Sequence, residues 1–303
     1  MKRLITICAA IVIFATNDAR AGTWAALDYP GVIETYVEGI SGNNIVGHYS
    51  ERDIFGYAHE HGFIYNRINQ TWEAINAPGA SWTYVYGIDG SKIVGASDGE
   101  HGNFLYDGTT WTAVNKPGAF ITQINDLDGD NLVGYYGDGM WDNHGFLYNN
   151  TDHTWTDIDV SGATGGGTAV LDISGNKLVG GYLTGRRGQG DGHGFIYDGT
   201  TWTTLIDMTG ATSTVIHGIS GDNLVGQYRD DSGVPHGFLH NGGIWTTIDK
   251  PGAGETYVTG IDGSNIVGWY TDATGTHGFV YEIPEPATIL LLGLGSLMLR
   301  KKV

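Results

Sequence analysis

The chain nearly lacks cysteine. Cys8 is the single one among 303 residues, and it falls in an apolar N-terminal stretch, too early for a lipoprotein site. A disulfide framework is excluded, and a core of this size does not need one. Basic residues are scarce as well, 15 Lys and Arg against 33 Asp and Glu, for a formal net charge of −18. Residues 1–21 and 287–303 hold six of the basic residues and one acidic one, which leaves 9 against 32 and a net charge near −23 for the rest. Such a surface repels nucleic acid and anionic lipid. It serves to keep an exported protein dispersed, or else to bind cations or the polymers that carry them. Helical periodicity is missing from the body of the chain, so no helix is expected there. The longest apolar run, Ala287 to Leu299, has about 13 residues, short of the ~20 that span a bilayer. Catalytic signatures are missing too. There is no Ser-His-Asp order, no His-Glu-x-x-His and no sialidase-type Asp box (Ser-x-Asp-x-Gly-x-x-Trp). No cofactor and no metal are expected.

What is present is a repeat. A unit of about 44 residues occurs six times, a length that with this strand content points to a propeller. Its first segment is Thr-x-Val-x-Gly-Ile, at Thr35, Thr83 and Thr256, with looser versions at Thr122, Thr168 and Thr214. Its second is Ile/Leu-Val-Gly, from Ile45-Val46-Gly47 to Ile266-Val267-Gly268. Its third is His-Gly-Phe, at His61, His144, His193, His236 and His277, with His101-Gly-Asn-Phe as a variant. Its fourth opens on Trp24, Trp72, Trp111, Trp155, Trp202 or Trp245. The segments are short, β-branched and aromatic, and turns such as Ser41-Gly-Asn-Asn and Asp107-Gly-Thr-Thr separate them. The expected fold is all-β, a six-bladed propeller of four-stranded blades over residues 22–282. The last repeat stops after its third strand, while Trp24 to Asp28 precedes any first strand. That N-terminal strand is expected to complete the sixth blade and close the ring.

The two ends read as addresses. Lys2-Arg3, an apolar stretch and Ala19-Arg20-Ala21 resemble a secretory signal peptide over residues 1–21, cleaved after the small-x-small site; a short buried strand is the alternative. Over residues 283–303, Pro284-Glu285-Pro286 leads into the apolar run, expected to be a short transmembrane or sorting helix, and then into Arg300-Lys301-Lys302. This tail resembles the sorting signal of the PEP-CTERM proteins of Gram-negative bacteria. The resemblance implies an exosortase-type partner, transient anchoring in the inner membrane, and release to the cell surface or extracellular matrix; a plain C-terminal anchor is the alternative. The repeats resemble the extracellular HAF-repeat proteins, with Gly where that family's name has Ala. That resemblance implies a propeller-like exported domain and no agreed activity.

The uniform residues are expected to be structural. Six equivalent His residues sit apart around a ring and cannot converge on one metal, and each can bond a neighbouring blade's backbone. The Trp fills the gap between blades. Asp126-x-Asp128-Gly-Asp130 resembles part of a calcium loop but lacks its distal Glu, and reads better as a tight turn. Binding is expected where the repeats differ, on the face that gathers the loops before His-Gly-Phe and the Pro-Gly-Ala-like links. The candidates there are Glu34, Tyr57, Trp82, Phe120, Trp141, Arg186, Arg187 and Glu255. Aromatic rings with a few carboxylates suit a polysaccharide or another matrix polymer. The enzymatic alternative is a glycosidase using Glu34 and Glu255.

Overall fold

The computed structural model describes residues 22–139, 143–164, 166–185 and 191–284. They hold 24 strands and no helix, so none long and apolar enough to cross a membrane. In chain order these are β1 (Thr23–Leu27), β2 (Glu34–Ser41), β3 (Asn44–Arg52), β4 (Ala58–Asn66), β5 (Thr71–Ile75), β6 (Thr83–Asp89), β7 (Lys92–Ser97) and β8 (Asn103–Tyr106). There follow β9 (Trp111–Ala113), β10 (Ile121–Asp128), β11 (Asn131–Gly137), β12 (Asn143–Asn149), β13 (Thr154–Ile158), β14 (Thr168–Ser174), β15 (Lys177–Thr184) and β16 (Asp191–Tyr197). The last eight are β17 (Trp202–Ile206), β18 (Ser213–Ser220), β19 (Asn223–Arg229), β20 (Pro235–Asn241), β21 (Ile244–Ile248), β22 (Glu255–Asp262), β23 (Asn265–Asp272) and β24 (Gly275–Glu282). The signal-peptide cleavage residues Ala19 and Ala21, the motif residues Glu285 and Pro286, and the whole of the expected C-terminal helix lie outside the described residues.

The expectation of six separate blades is corrected. Four blades stand alone as four-stranded antiparallel sheets, β6–β9, β10–β13, β14–β17 and β18–β21. The other eight strands form one sheet, in the order β22-β23-β24-β2-β3-β4-β5 with β1 on β24. The fusion comes from a parallel pairing of Glu34 with Thr276, where the Thr276 N–H donates to the Ile33 carbonyl at 3.1 Å. Its cause is a short hairpin. Where the sequence leads one to expect a loop before His277, β23 turns into β24 through Ala273 and Thr274 alone, so β24 starts early enough to reach β2. Gly275 permits the approach, because a Cβ there would collide with the Ile33 carbonyl. The N-terminal strand does pair with the C-terminal one, β1 against β24 from Thr23–Glu282 to Leu27–Gly278.

The repeated residues build the frame. Phe63, Phe104, Phe146, Phe195, Phe238 and Phe279 are completely buried. Each lies opposite the Gly of Ile/Leu-Val-Gly on the second strand, as Phe63 does Gly47. A Cβ at that Gly would run into the first strand's backbone. Each of the six repeated fourth-strand Trp packs on the Phe of its own third strand, with ring centroids 4.7–5.3 Å apart. The same Trp also joins apolar clusters that bridge neighbouring sheets, as Trp155 does beside Val94 and Leu105. Each first-strand Thr accepts the N–H of the residue that opens its lead-in link, at 2.9–3.2 Å.

The His reading is corrected in its partner. Five of the six bond a side chain at the end of the fourth strand in their own unit. His61 pairs with Asn76, His144 with Asp159, His193 with Asp207, His236 with Asp249 and His277 with Asp28.

Candidate binding channel and its mouth

The first strands β2, β6, β10, β14, β18 and β22 touch one another in sequence and back to the start, so they wall a central channel. Each carries a β-bulge one residue after its buried Val or Ile. The bulged residues are Glu38, Tyr86, Asn125, Leu171, His217 and Thr259. A bulge breaks the in–out alternation and re-aims a side chain. Here all six line a cavity of about 460 Å³. Three of them also stitch the ring, each donating to a carbonyl of the following unit: Asn125 Nδ2 to Val170 at 2.7 Å, Thr259 Oγ1 to Val37 at 2.8 Å, and the His217 ring to Val258.

The next residue along each first strand is Gly four times and Asp twice, Asp126 and Asp172. Asp126 accepts the Ile173 N–H at 3.3 Å, and Asp172 accepts the Ile219 N–H at 2.7 Å. The two carboxyls bond each other. Burial, then mutual charge, holds Asp126 well above the usual carboxylate range, and burial raises Asp172 too. The pair therefore retains a proton where isolated carboxyls would not. Burial lowers His217 to about 4, against the raising effect of its bond to Val258. Across the ring, Glu38 is pushed up to about 8 by burial, and His48 down to about 3. The two lie 3.8 Å apart, too far for a hydrogen bond. We read them as a neutral pair, because nothing else in contact offsets the desolvation of either charge.

At the tight-turn end a belt of short side chains joins consecutive units. Asp262 accepts the Gly42 N–H, Ser41 that of Gly90, Asp89 that of Gly129, Asp128 that of Gly175 and Ser220 that of Gly263, at 2.6–3.3 Å. Asp128 is thus a turn residue, as expected, and Asp130 is tied to Lys92 and Thr151. Among the described residues no three His, Cys, Asp or Glu side chains come together in a way that could hold a metal ion.

At the loop end the channel is rimmed by rings on one side. Trp82 lies 5.0 Å from Tyr84, Tyr84 4.6 Å from His48, and His48 stacks at 4.7 Å on Tyr36. Tyr36 meets Trp269 edge-on at 5.3 Å, and Trp269 stacks at 3.9 Å on Tyr257. Tyr36, Tyr84 and Tyr257 hold one repeat position; the other three units place Gln123, Ala169 and Val215 there.

Of the residues singled out from sequence, Trp82 opens this arc, and Glu34 and Glu255 border it. The Glu34 carboxylate bonds Arg52 at 3.0 Å, and Glu255 accepts the Tyr257 hydroxyl at 3.0 Å. Tyr57 and Phe120 are exposed, 70% and 77%, on separate loops. Trp141, Arg186 and Arg187 lie outside the described residues. None of the described candidates lines the cavity. The bulge residues that do were missed because they share no residue type. A signal existed, for in every unit a buried or half-buried aliphatic stands three residues after the buried Val or Ile, and Gly or Asp stands at two.

Residues 282–302 match the family model of the PEP-CTERM protein-sorting motif. The match begins at the last residue of β24, so the motif leaves the body at the tight-turn end, beside Thr23. Among solved structures, the chain is similar to the β-propeller domain of the Trilobed protease from Pyrococcus furiosus, a propeller with an open velcro topology. The TM-score is 0.54 at 11% identity, covering 84% of this chain and 98% of that one. It is similar also to the acylaminoacyl peptidase of Pyrococcus horikoshii, with a TM-score of 0.53 at 11% identity, covering 86% of this chain and 54% of that one. The chain thus spans about half of that peptidase. Likeness at such identity concerns the fold alone. No curated protein matches the chain by sequence. Fold and tail together define an exported β-propeller protein that carries a PEP-CTERM sorting motif, a signal for exosortase recognition and processing at the membrane.

Proposed function

We propose that this propeller is a non-enzymatic binding protein of the cell surface or extracellular matrix, one that holds polysaccharide at its loop-side mouth. The aromatic arc from Trp82 to Tyr257 carries this reading. Sugar rings stack by their apolar faces on half-buried aromatics, and Glu34, Arg52 and Glu255 beside the arc supply hydrogen bonds to hydroxyls. The exit of the sorting motif supports it. A chain tethered at the tight-turn end presents the loop end away from the membrane. The likeness of the repeats to HAF-repeat proteins agrees with an exported role in a Gram-negative bacterium.

A glycosidase reading through Glu34 and Glu255 has less support, because one carboxylate is held by Arg52 and the other by Tyr257. Retention of the purified protein on native matrix polysaccharide tests the proposal. Tyr84→Ala or Trp82→Ala should weaken retention about tenfold, and Gln123→Ala should leave it nearly unchanged. No retention on any polymer, or equal loss from all three variants, overturns it.

A further inference from the structure

The channel below the arc holds an acid, Glu38, that neither the frame nor the mouth uses. Burial raises the Glu38 pKa, and the His48 Nδ1 beside it, 3.8 Å away, lies beyond hydrogen-bond distance. Behind it, His48 is over nine-tenths buried and its Nδ1 has no hydrogen-bond partner. Such an orphaned buried nitrogen is rare in a finished fold. Glu38 stands on β2 and the Asp126–Asp172 pair on β10 and β14; in a ring ordered β2, β6, β10, β14, β18, β22, β14 lies opposite β2. Two acidic poles therefore face each other across one cavity. Tyr86, Tyr257 and Trp269 line the same space with ring surface. Asn125 and Thr259 have committed donors to backbone carbonyls, so each leaves an acceptor for a guest.

We propose that the central cavity binds a short aliphatic diammonium ion, with one head at Glu38 and the other at the Asp126–Asp172 pair. The acids, Asn125 and Thr259 offer acceptors to the N–H groups of such an ion, and its charge meets carboxyls and ring faces lining the cavity. A divalent metal fits less well, since the acidic groups are divided between opposite walls and, among the described residues, no three converge. Asp89, Asp128 and Asp262 at the tight-turn mouth add a negative field that draws cations inward.

Titration calorimetry of the purified exported protein at pH 8.5 tests this, using 1,3-diaminopropane through 1,6-diaminohexane, with 1-aminobutane and calcium chloride as controls. One diamine should bind at a 1:1 ratio and at least tenfold more tightly than 1-aminobutane. Glu38→Gln and Asp172→Asn should each reduce that diamine to the level of the monoamine, with thermal unfolding checking that both variants fold. Glu38→Gln is close in shape to the native residue, so it keeps the test alive if Asp172→Asn does not fold. Three outcomes overturn the proposal. They are no diamine bound more tightly than 1-aminobutane, unchanged diamine binding in the folded variants, and displacement of the diamine by calcium.

Discussion

Two halves of one ring share a frame and differ in what they show the channel. On one side Tyr257, Tyr36 and Tyr84 occupy the first-strand position next to the mouth, and Trp82, His48 and Trp269 complete a run of rings. On the other side the same position holds Gln123, Ala169 and Val215, and the wall below carries the Asp126–Asp172 pair. The first-strand bulge recurs in both, although the fused sheet lies in the aromatic half. The bulge itself does not dictate which side chain it presents, so we ascribe the difference in lining to what each half touches.

The largest expected effect breaks the frame and should ignore the halves. Phe63→Ala in the aromatic half and Phe195→Ala in the plain half each remove a completely buried ring. Both should cost about 3–5 kcal/mol, within about 1 kcal/mol of each other. Denaturant unfolding of the two variants gives the comparison. A large inequality would mean that the halves differ in packing as well as in lining.

A middle effect belongs to the plain half. The Asp126 carboxyl titrates higher in the folded chain than in the unfolded one, so the folded state binds more protons above pH ~4. This pair's contribution to stability is therefore complete below the unfolded pKa and is lost as pH rises through the folded one. Asp126→Asn imitates the protonated acid and can still donate to Asp172. Relative to the native chain it should gain about 1–2 kcal/mol at pH 8 and almost nothing at pH 4. Thermal unfolding at the two pH values checks this; an equal shift at both would separate the pair from the pH dependence.

The frame was legible because its residues repeat. Phe, Trp, Thr and the Gly of Ile/Leu-Val-Gly return in every unit, and each return marks the same packing constraint. The fusion of β24 to β2 was hidden, because it rests on one pairing and on a hairpin that looked like a loop. The channel was hidden for the opposite reason to the frame. Glu38, Tyr86, Asn125, Leu171, His217 and Thr259 have nothing in common but a bulge, and a residue-type search discards such a position as noise. Asp126 was grouped with a turn because Asp128 and Asp130, two and four residues on, do belong to one. At the mouth, loop position points to Trp82, Glu34 and Glu255, whereas the three tyrosines fall at the variable x of Thr-x-Val-x-Gly-Ile, where nothing in the repeat singles them out.

The smallest effect returns to the two halves at their rims. Arg52 and Arg229 start the same type of turn, Arg-Asp-x-x-Gly, and each donates to the carbonyl of that Gly, Gly56 at 3.4 Å and Gly233 at 2.9 Å. Only Arg52, on the aromatic side, also bonds a carboxylate, that of Glu34. Arg52→Ala should therefore cost about 0.2–1 kcal/mol, because an exposed ion pair is worth little. The loss should shrink in 0.5 M salt, where the Debye length falls below about 5 Å. Arg229→Ala removes a bond to a neutral acceptor, so its cost, about 0.5 kcal/mol, should depend much less on salt. Thermal unfolding of both variants at low and high salt reads the difference. If both losses respond to salt alike, the Glu34–Arg52 pair is not what distinguishes the two rims, and Glu34 is left free to meet a ligand.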